Sequence, residues 1–455
     1  MKSTLDNLFS KIDNYKSSSL TPQNIVNEQL KAVDFVKNNR FNFKKNEIWR
    51  NTDFSSFLND ELQEPASSQD FPESNFSCNI PNLDTTKLTI CNGFFQAESV
   101  LQKLDNGVVY GSLNVAMKEY PALVEKVFGQ VAVRNNSYLS ANTAFFSDGI
   151  FIYVPDNVCL DRPLQMLEVI NSDRPLFLQT RNLVYVGKNS HLSLIHCDDS
   201  YNQNRSFSNI VTEIVLDEYA NLEHYKMQNL NDNSGLLNQT FVSMQNNSVL
   251  LSNSISLNGG NIRNHTEVRM NGEHCNTQAH GLYLMDKEQK VDNYIFVEHA
   301  KPNCESNELF KGILDDSAEA HFNGHVLVSE GAVKTQAYQS NKNILLTDKA
   351  SIDTKPFLEI YNDDVKCSHG TTTGQLDEQM LFYIRSRGIS ERTAKTLLMY
   401  AYCDEVIQKI ALEPLRVRIS DMVKKRLHGE LTICENCALH CSSPDHHFTI
   451  DTSKL

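Results

Sequence analysis

The chain has 455 residues, enough for two or three domains and a sizeable core without disulfides or metals to support it. Against 56 acidic residues stand 42 basic ones, a formal charge of −14, which argues against non-specific nucleic-acid binding and against an anionic membrane surface. No apolar run approaches the roughly 18 residues of a membrane-spanning helix, and the 11 scattered cysteines fit reduced thiols better than a disulfide framework.

The amino-terminal stretch MKSTLDNLFSKIDNYK lacks the apolar centre of a secretory signal, so the expected location is the cytoplasm. Residues 1–60 read as a helical segment. Leu5, Leu8, Phe9 and Ile12 fall at helical spacing, as do Val26, Leu30, Val33 and Val36, with Thr21-Pro22 at the second helix start. The only tryptophan, Trp49, sits among Lys44, Lys45 and Arg50. In an acidic chain it is expected to anchor this segment rather than to stack on a base. Residues 61–130 read as a polar linker followed by a mixed α/β segment, with a helical run at Tyr120–Val127. Phe145–Pro155 reads as a hairpin-like pair of strands around Asp148-Gly149.

From residue 131 to 373 one theme returns: an apolar strand, a polar turn, a small residue, another strand. It appears near Ser190, Ala220, Ser248, Cys275, Ala318, Ala332 and Ala350. The spacing is first about 27–30 residues and later about 14–18, self-similarity of the solenoid kind. The interval from Cys275 to Ala318 fits neither period. The pattern predicts a mainly β fold with a parallel β-helix-like solenoid core, flanked by helical segments at both ends. A β-sandwich of meandering strands is the competing arrangement.

The last predicted strands lie in DTKPFLEIYNDDVKCSHGTTT, Asp353 to Thr373. Asn362-Asp363-Asp364 interrupts the alternation as a turn would. Beyond it Val365, Cys367, His369 and Thr371 share a face, with Lys366 and Ser368 on the other. A thiol and an imidazole on one face are suitable ligands for iron or zinc, and two ligands leave a coordination sphere that another subunit would have to complete. Residues 374–431 switch to helical spacing, with Ser390 opening one helix and Gly388 closing another. Leu397, Leu398, Tyr400, Ala401, Tyr402, Val406, Ile407 and Ile410 cover more than one helix face, so a second covering surface is expected. In the 432–455 tail, Cys434-x-x-Cys437-x-x-x-Cys441 with His440, His446 and His447 has the spacing of a small zinc or cluster site, a plain reduced tail being the alternative.

LEIYNDDVKCSHGTTTG, followed by LFYIRSRGIS at Leu381–Ser390, closely resembles the signature of the SufD proteins. These are scaffold subunits of the SUF iron–sulfur cluster assembly machine, in the SufB/SufD family. The resemblance runs through most of the chain, the Glu-x-Trp around Trp49 included, and Cys-Ser-His-Gly favours SufD over SufB. It implies that His369, with Cys367 as the secondary candidate, handles iron or a transient, nascent cluster at the contact with a SufB-like subunit. It also implies edge-to-edge pairing of the last strand with that subunit, a homodimer in isolation, and docking of the SufC ATPase on the carboxy-terminal helices.

No G-x-x-x-x-G-K-[ST] loop is present, so the chain itself is expected to bind no nucleotide; G-x-S-x-G, H-E-x-x-H and a post-strand G-x-G-x-x-G are absent too. Adjacent carboxylates on a strand face opposite ways, so Asp198-Asp199, Asp315-Asp316 and Asp363-Asp364 are expected in turns rather than as acid/base couples. His299, His321 and His325 are expected to be hydrogen-bonded structural residues. The function expected is therefore a non-enzymatic scaffold. A SufB-type cluster scaffold, a polysaccharide-active β-helix enzyme and a plain homodimeric structural protein are the alternatives.

Overall fold

Five successive corners of the chain share one local device. Asn189, Tyr219, Asn247, His274 and Asn303 take the left-handed conformation with φ between 53° and 58° for the first four and 60° for the last. Each is followed by a small buried residue, Ser190, Ala220, Ser248, Cys275 and Cys304. A left-handed non-glycine residue costs about 1–2 kcal/mol, least for asparagine, which fills three of the five places. The corners stack through backbone hydrogen bonds: the Asn189 amide donates to the Glu218 carbonyl, Tyr219 to Asn246 and Asn247 to Glu273, all at 2.8–3.0 Å. In the computed structural model, which describes residues 3–16, 21–41, 47–65, 78–96, 101–132 and 136–429, these corners join a parallel β-solenoid of about eight turns.

Each turn contributes one strand to each of two ten-stranded sheets. One sheet runs from Phe94–Gln96 to Val365–Gly374, the other from Leu101–Lys103 to Ser351–Ile360, and the solenoid strands pair in parallel register. That register excludes the sandwich. It also explains the irregular spacing of the repeated theme. Ser190, Ala220, Ser248, Cys275, Cys304 and Ala332 form one file of corners, while Ala318 and Ala350 occupy another on the opposite side. Two interleaved series of similar period look like one series whose period halves. Cys304, absent from the sequence reading, fills the apparent gap.

Residues 86–96 and 101–112 extend the solenoid at its start. Thr86–Cys91 pairs in parallel with Leu164–Ile170, and Val109–Ser112 pairs antiparallel with Ile150–Val154. The expected hairpin at Phe145–Pro155 is not formed: Phe145 ends a helix, Ser137–Phe145, and only Ile150–Val154 is a strand. The turn between them is held by the Asp148 carboxylate, which accepts from the Ser112 hydroxyl and from the amides of Asn114 and Gly149. Besides its neighbour Gly149, Asp148 is thus tied to the distant strand end and helix start at Ser112 and Asn114.

Helices cover the outer faces. The amino-terminal helices Thr4–Asp13 and Gln23–Asn39 pack on Ser137–Phe145 through Leu8, Ile12, Val33 and Val36. Trp49 is buried as an anchor, stacked on His265 (5.2 Å) beneath the Arg263 guanidinium (4.2 Å). At the other end, Glu391–Ile407 and Glu413–Leu427 bury Cys403, Val406, Ile407, Ile419 and Met422 against the sheet residues Tyr225, Leu282 and Ile313. The second covering surface is therefore the solenoid itself. Arg426 locks the contact, donating to the Leu257 carbonyl and to Asp286, both at 2.7 Å. Helix Glu378–Arg385 buries none of its residues and leaves Met380, Phe382 and Tyr383 exposed. No helix among the described residues is long and apolar enough to cross a membrane.

Candidate functional site at the open end of the solenoid

Stacking protects each coil except the last. Ser351–Ile360 and Val365–Gly374 are the terminal strands of their sheets, so each pairs on one side only within the chain. Such edges are templates for a further strand. In Val365–Gly374 the register places Cys367 over Ala337, His369 over Gln339, Thr371 over Asn341 and Thr373 over Asn343. All four residues underneath are buried. The same face that every earlier coil hides beneath its neighbour is bare here, and it carries Cys367 and His369. Phe357 and Tyr361, on and just beyond the other terminal strand, are exposed at 51% and 60%.

The two ligand candidates differ in environment. His369 is exposed. Cys367 is half-buried and packs against Val326, Val328 and Ala337, and burial raises its thiol pKa above the ordinary value. A metal would have to displace that proton, so binding at Cys367 would be coupled to proton release. Thr354 and Thr371 meet at 3.1 Å between the two terminal strands. Cys434, Cys437 and Cys441 lie outside the described residues.

Behind His369 a polar file runs into the core. The Gln339 amide donates to Glu308 at 2.6 Å, and Glu308 is wholly buried with its other oxygen unpaired. Burial pushes the Glu308 carboxyl up to about 8, against a partial opposing effect from Gln339. An acid whose folded pKa is raised binds its proton more tightly in the folded state, so stability is full below the unfolded value near 4.5 and falls as pH rises through about 8. Glu308→Gln, which keeps the shape and removes the charge, is expected to flatten that decline, whose limiting slope is about 1.4 kcal/mol per pH unit. Denaturant melts of both proteins between pH 5 and 9 check it.

The three histidines expected to be structural have partners: His299 with the Ser306 hydroxyl at 2.8 Å, His321 with Glu319 at 3.0 Å, and His325 with Glu359 at 3.1 Å. Asp315-Asp316 and Asp363-Asp364 lie in turns and bends, but Asp198-Asp199 does not. Both members are buried inside the strand His191–Ser200, where Asp198 joins Glu168 and His196 in a group close enough to hold a metal ion. The signal was available in His196-x-Asp198, which has the same two-residue spacing as Cys367-x-His369.

Two family descriptions match the sequence. Residues 2–166 match the SufBD protein N-terminal region, and residues 169–402 match the SUF system FeS cluster assembly SufBD core domain. An iron–sulfur cluster assembly SufBD family protein of Synechocystis is 31% identical over 415 residues, covering 88% of this chain and 91% of that protein. The iron–sulfur cluster assembly protein SufD of Escherichia coli is 34% identical over 230 residues, 50% of this chain and 54% of its own length. SufD of Bacillus subtilis is 27% identical over 344 residues, 72% and 76% respectively.

Proposed function

The chain belongs to the SufBD family of SUF-system iron–sulfur cluster assembly proteins, and from that premise we propose that it serves as a SufD-type scaffold with no catalysis of its own. The observation that carries this reading is the bare last coil, where an imidazole and a thiol sit on an unpaired sheet end. A SufB-like subunit adds its own strands to these edges, in the cytoplasm. His369, with Cys367 in support, then supplies part of the ligand set for iron or a nascent cluster, and the partner supplies the rest. The cluster is cargo, held transiently and passed on. In isolation a second copy takes the partner's place, giving a homodimer. Cys434, Cys437 and Cys441 form a further metal-ligating group of local spacing.

A SufC-type ATPase docks on the carboxy-terminal helices. Support comes from Phe382, 74% exposed, and Tyr383, 56% exposed, on a helix with no buried face. Exposed aromatics of this kind are the side chains that dominate interfaces. Co-expression with SufB-like and ATPase subunits is expected to yield a three-component complex. Phe382→Asp combined with Tyr383→Asp is expected to weaken ATPase capture at least tenfold, about 1.4 kcal/mol or more, and to leave the SufB-like pairing intact. Failure to capture either subunit would overturn the scaffold reading; an unaffected ATPase interaction would overturn the docking assignment alone.

A further inference from the structure

We propose that the inner face of the solenoid's early coils holds a divalent transition-metal ion on Glu168, His196 and Asp198, at a site separate from the open end. Glu168 lies on Leu164–Ile170 and is the register partner of Asp198 on the adjacent His191–Ser200. His196 is two residues before Asp198, so all three side chains point into the lumen. None is more than 6% exposed.

The distances are those of ligands rather than of hydrogen bonds. The His196 Nε2 atom is 3.4 Å from Glu168 Oε1 and 3.3 Å from Asp198 Oδ1. A tetrahedral ion with bonds of about 2.0–2.1 Å separates neighbouring ligand atoms by about 3.3–3.4 Å. Neither His196 Nε2 nor Asp198 Oδ1 has a hydrogen-bond partner of acceptable geometry, although both are fully buried. Such orphaned buried atoms call for an occupant. A cavity of about 20 Å³ lined by Glu168, Asp198 and Thr180, but not by His196, has room for a single water next to the two carboxylates.

The carboxylates are already oriented from behind. Thr180 donates to Glu168 Oε2 at 2.8 Å and Asn182 to Oε1 at 2.7 Å, while Gln228 and Asn238 reach Asp198 Oδ2 at 3.4 Å. Partners of this sort fix metal ligands in place. The nearest cation, Lys226, approaches the other oxygen of Asp198, at 3.7 Å. With one ammonium the two carboxylates keep a net charge of −1, so a further positive charge is called for, from a divalent ion or from a proton on His196. One imidazole and two carboxylates, with no thiolate, suit zinc or ferrous iron. His369 lies six strands further along the same sheet, about 29 Å at ~4.8 Å per strand, so the two sites share no ligand.

The test uses the full-length chain with Cys434→Ser, Cys437→Ser and Cys441→Ser, stripped of metal and titrated with Co²⁺ as the probe. About one equivalent should bind, with the visible absorption of four-coordinate cobalt and no thiolate charge-transfer band. Equilibrium dialysis should show at least tenfold weaker binding in His196→Gln, and unchanged binding in His369→Ala. Asp198→Asn repeats the measurement should circular dichroism show His196→Gln to be misfolded. Absence of bound Co²⁺ in the parent, or equal binding by His196→Gln and Asp198→Asn, overturns the proposal and leaves an imidazolium as the balancing charge.

Discussion

Glu213→Ala is expected to destabilise the protein by about 3–5 kcal/mol, because it leaves a buried guanidinium without its counter-charge. Arg181 and Glu213 are 1% and 0% exposed, and Arg181 Nη2 donates to Glu213 Oε1 at 2.5 Å. The same carboxylate accepts from the backbone amides of Gly129, Val131 and Ala132 at 2.8, 3.2 and 3.0 Å. Arg181 also donates to the Thr143 hydroxyl at 3.0 Å and lies 5.0 Å from the Phe128 ring. One pair thus fastens residues 128–132 and 136–143 to the outer face of the solenoid. Replacing both members by apolar residues would not repair the loss here, since three amides would remain without an acceptor. Lys188→Ala, which breaks a solvent-exposed pair with Glu218 at 3.0 Å, is the comparison and should leave stability close to that of the wild type. Denaturant unfolding followed by circular dichroism measures both. A cost below about 1 kcal/mol for Glu213→Ala would show that water reaches Arg181 and that the pair is not the fastening.

The solenoid was legible because its corners impose a local chemistry that a sequence displays. A left-handed asparagine before a small residue, as at Asn189-Ser190 or Asn247-Ser248, is punctuation that no packing context is needed to read. The terminal strand was legible for a similar reason: alternation survives on both sides of Asn362-Asp363-Asp364. What escaped was decided by distant partners. Asp198-Asp199 looks like a turn to any local rule, and only lumen neighbours such as Gln228 and Asn238 make a buried carboxylate tolerable there. The false hairpin at Phe145–Pro155 has the same origin, since Asp148 answers to Ser112 and Asn114, 34 to 36 residues earlier. Of the site, the sequence displayed the shared face of Cys367 and His369; it could not display that no coil of this chain lies above them.

His369→Ala is expected to leave the isolated chain folded and to reduce cluster content of the assembled complex at least tenfold. The first half follows from exposure: among the described residues the imidazole takes no hydrogen bond, so stability should change by no more than about 0.5 kcal/mol. The second follows from coordination. Loss of an outer partner of a metal ligand alone costs about 10–100-fold in affinity, and loss of the ligand itself should cost no less. His369→Cys should restore part of the yield, because a thiolate also binds iron and can lean from the same strand position. Cys367→Ser should do less harm than His369→Ala, since its thiol is half-buried, has its pKa raised by burial and sits over Ala337 in the register. The readout is iron and acid-labile sulfide per complex, at equal recovery of the SufB-like and ATPase subunits. Equal cluster content in wild type and His369→Ala, with pairing intact, would make the open end a docking surface only. The metal-ligating role would then pass wholly to the partner, while the unpaired edge would still account for assembly.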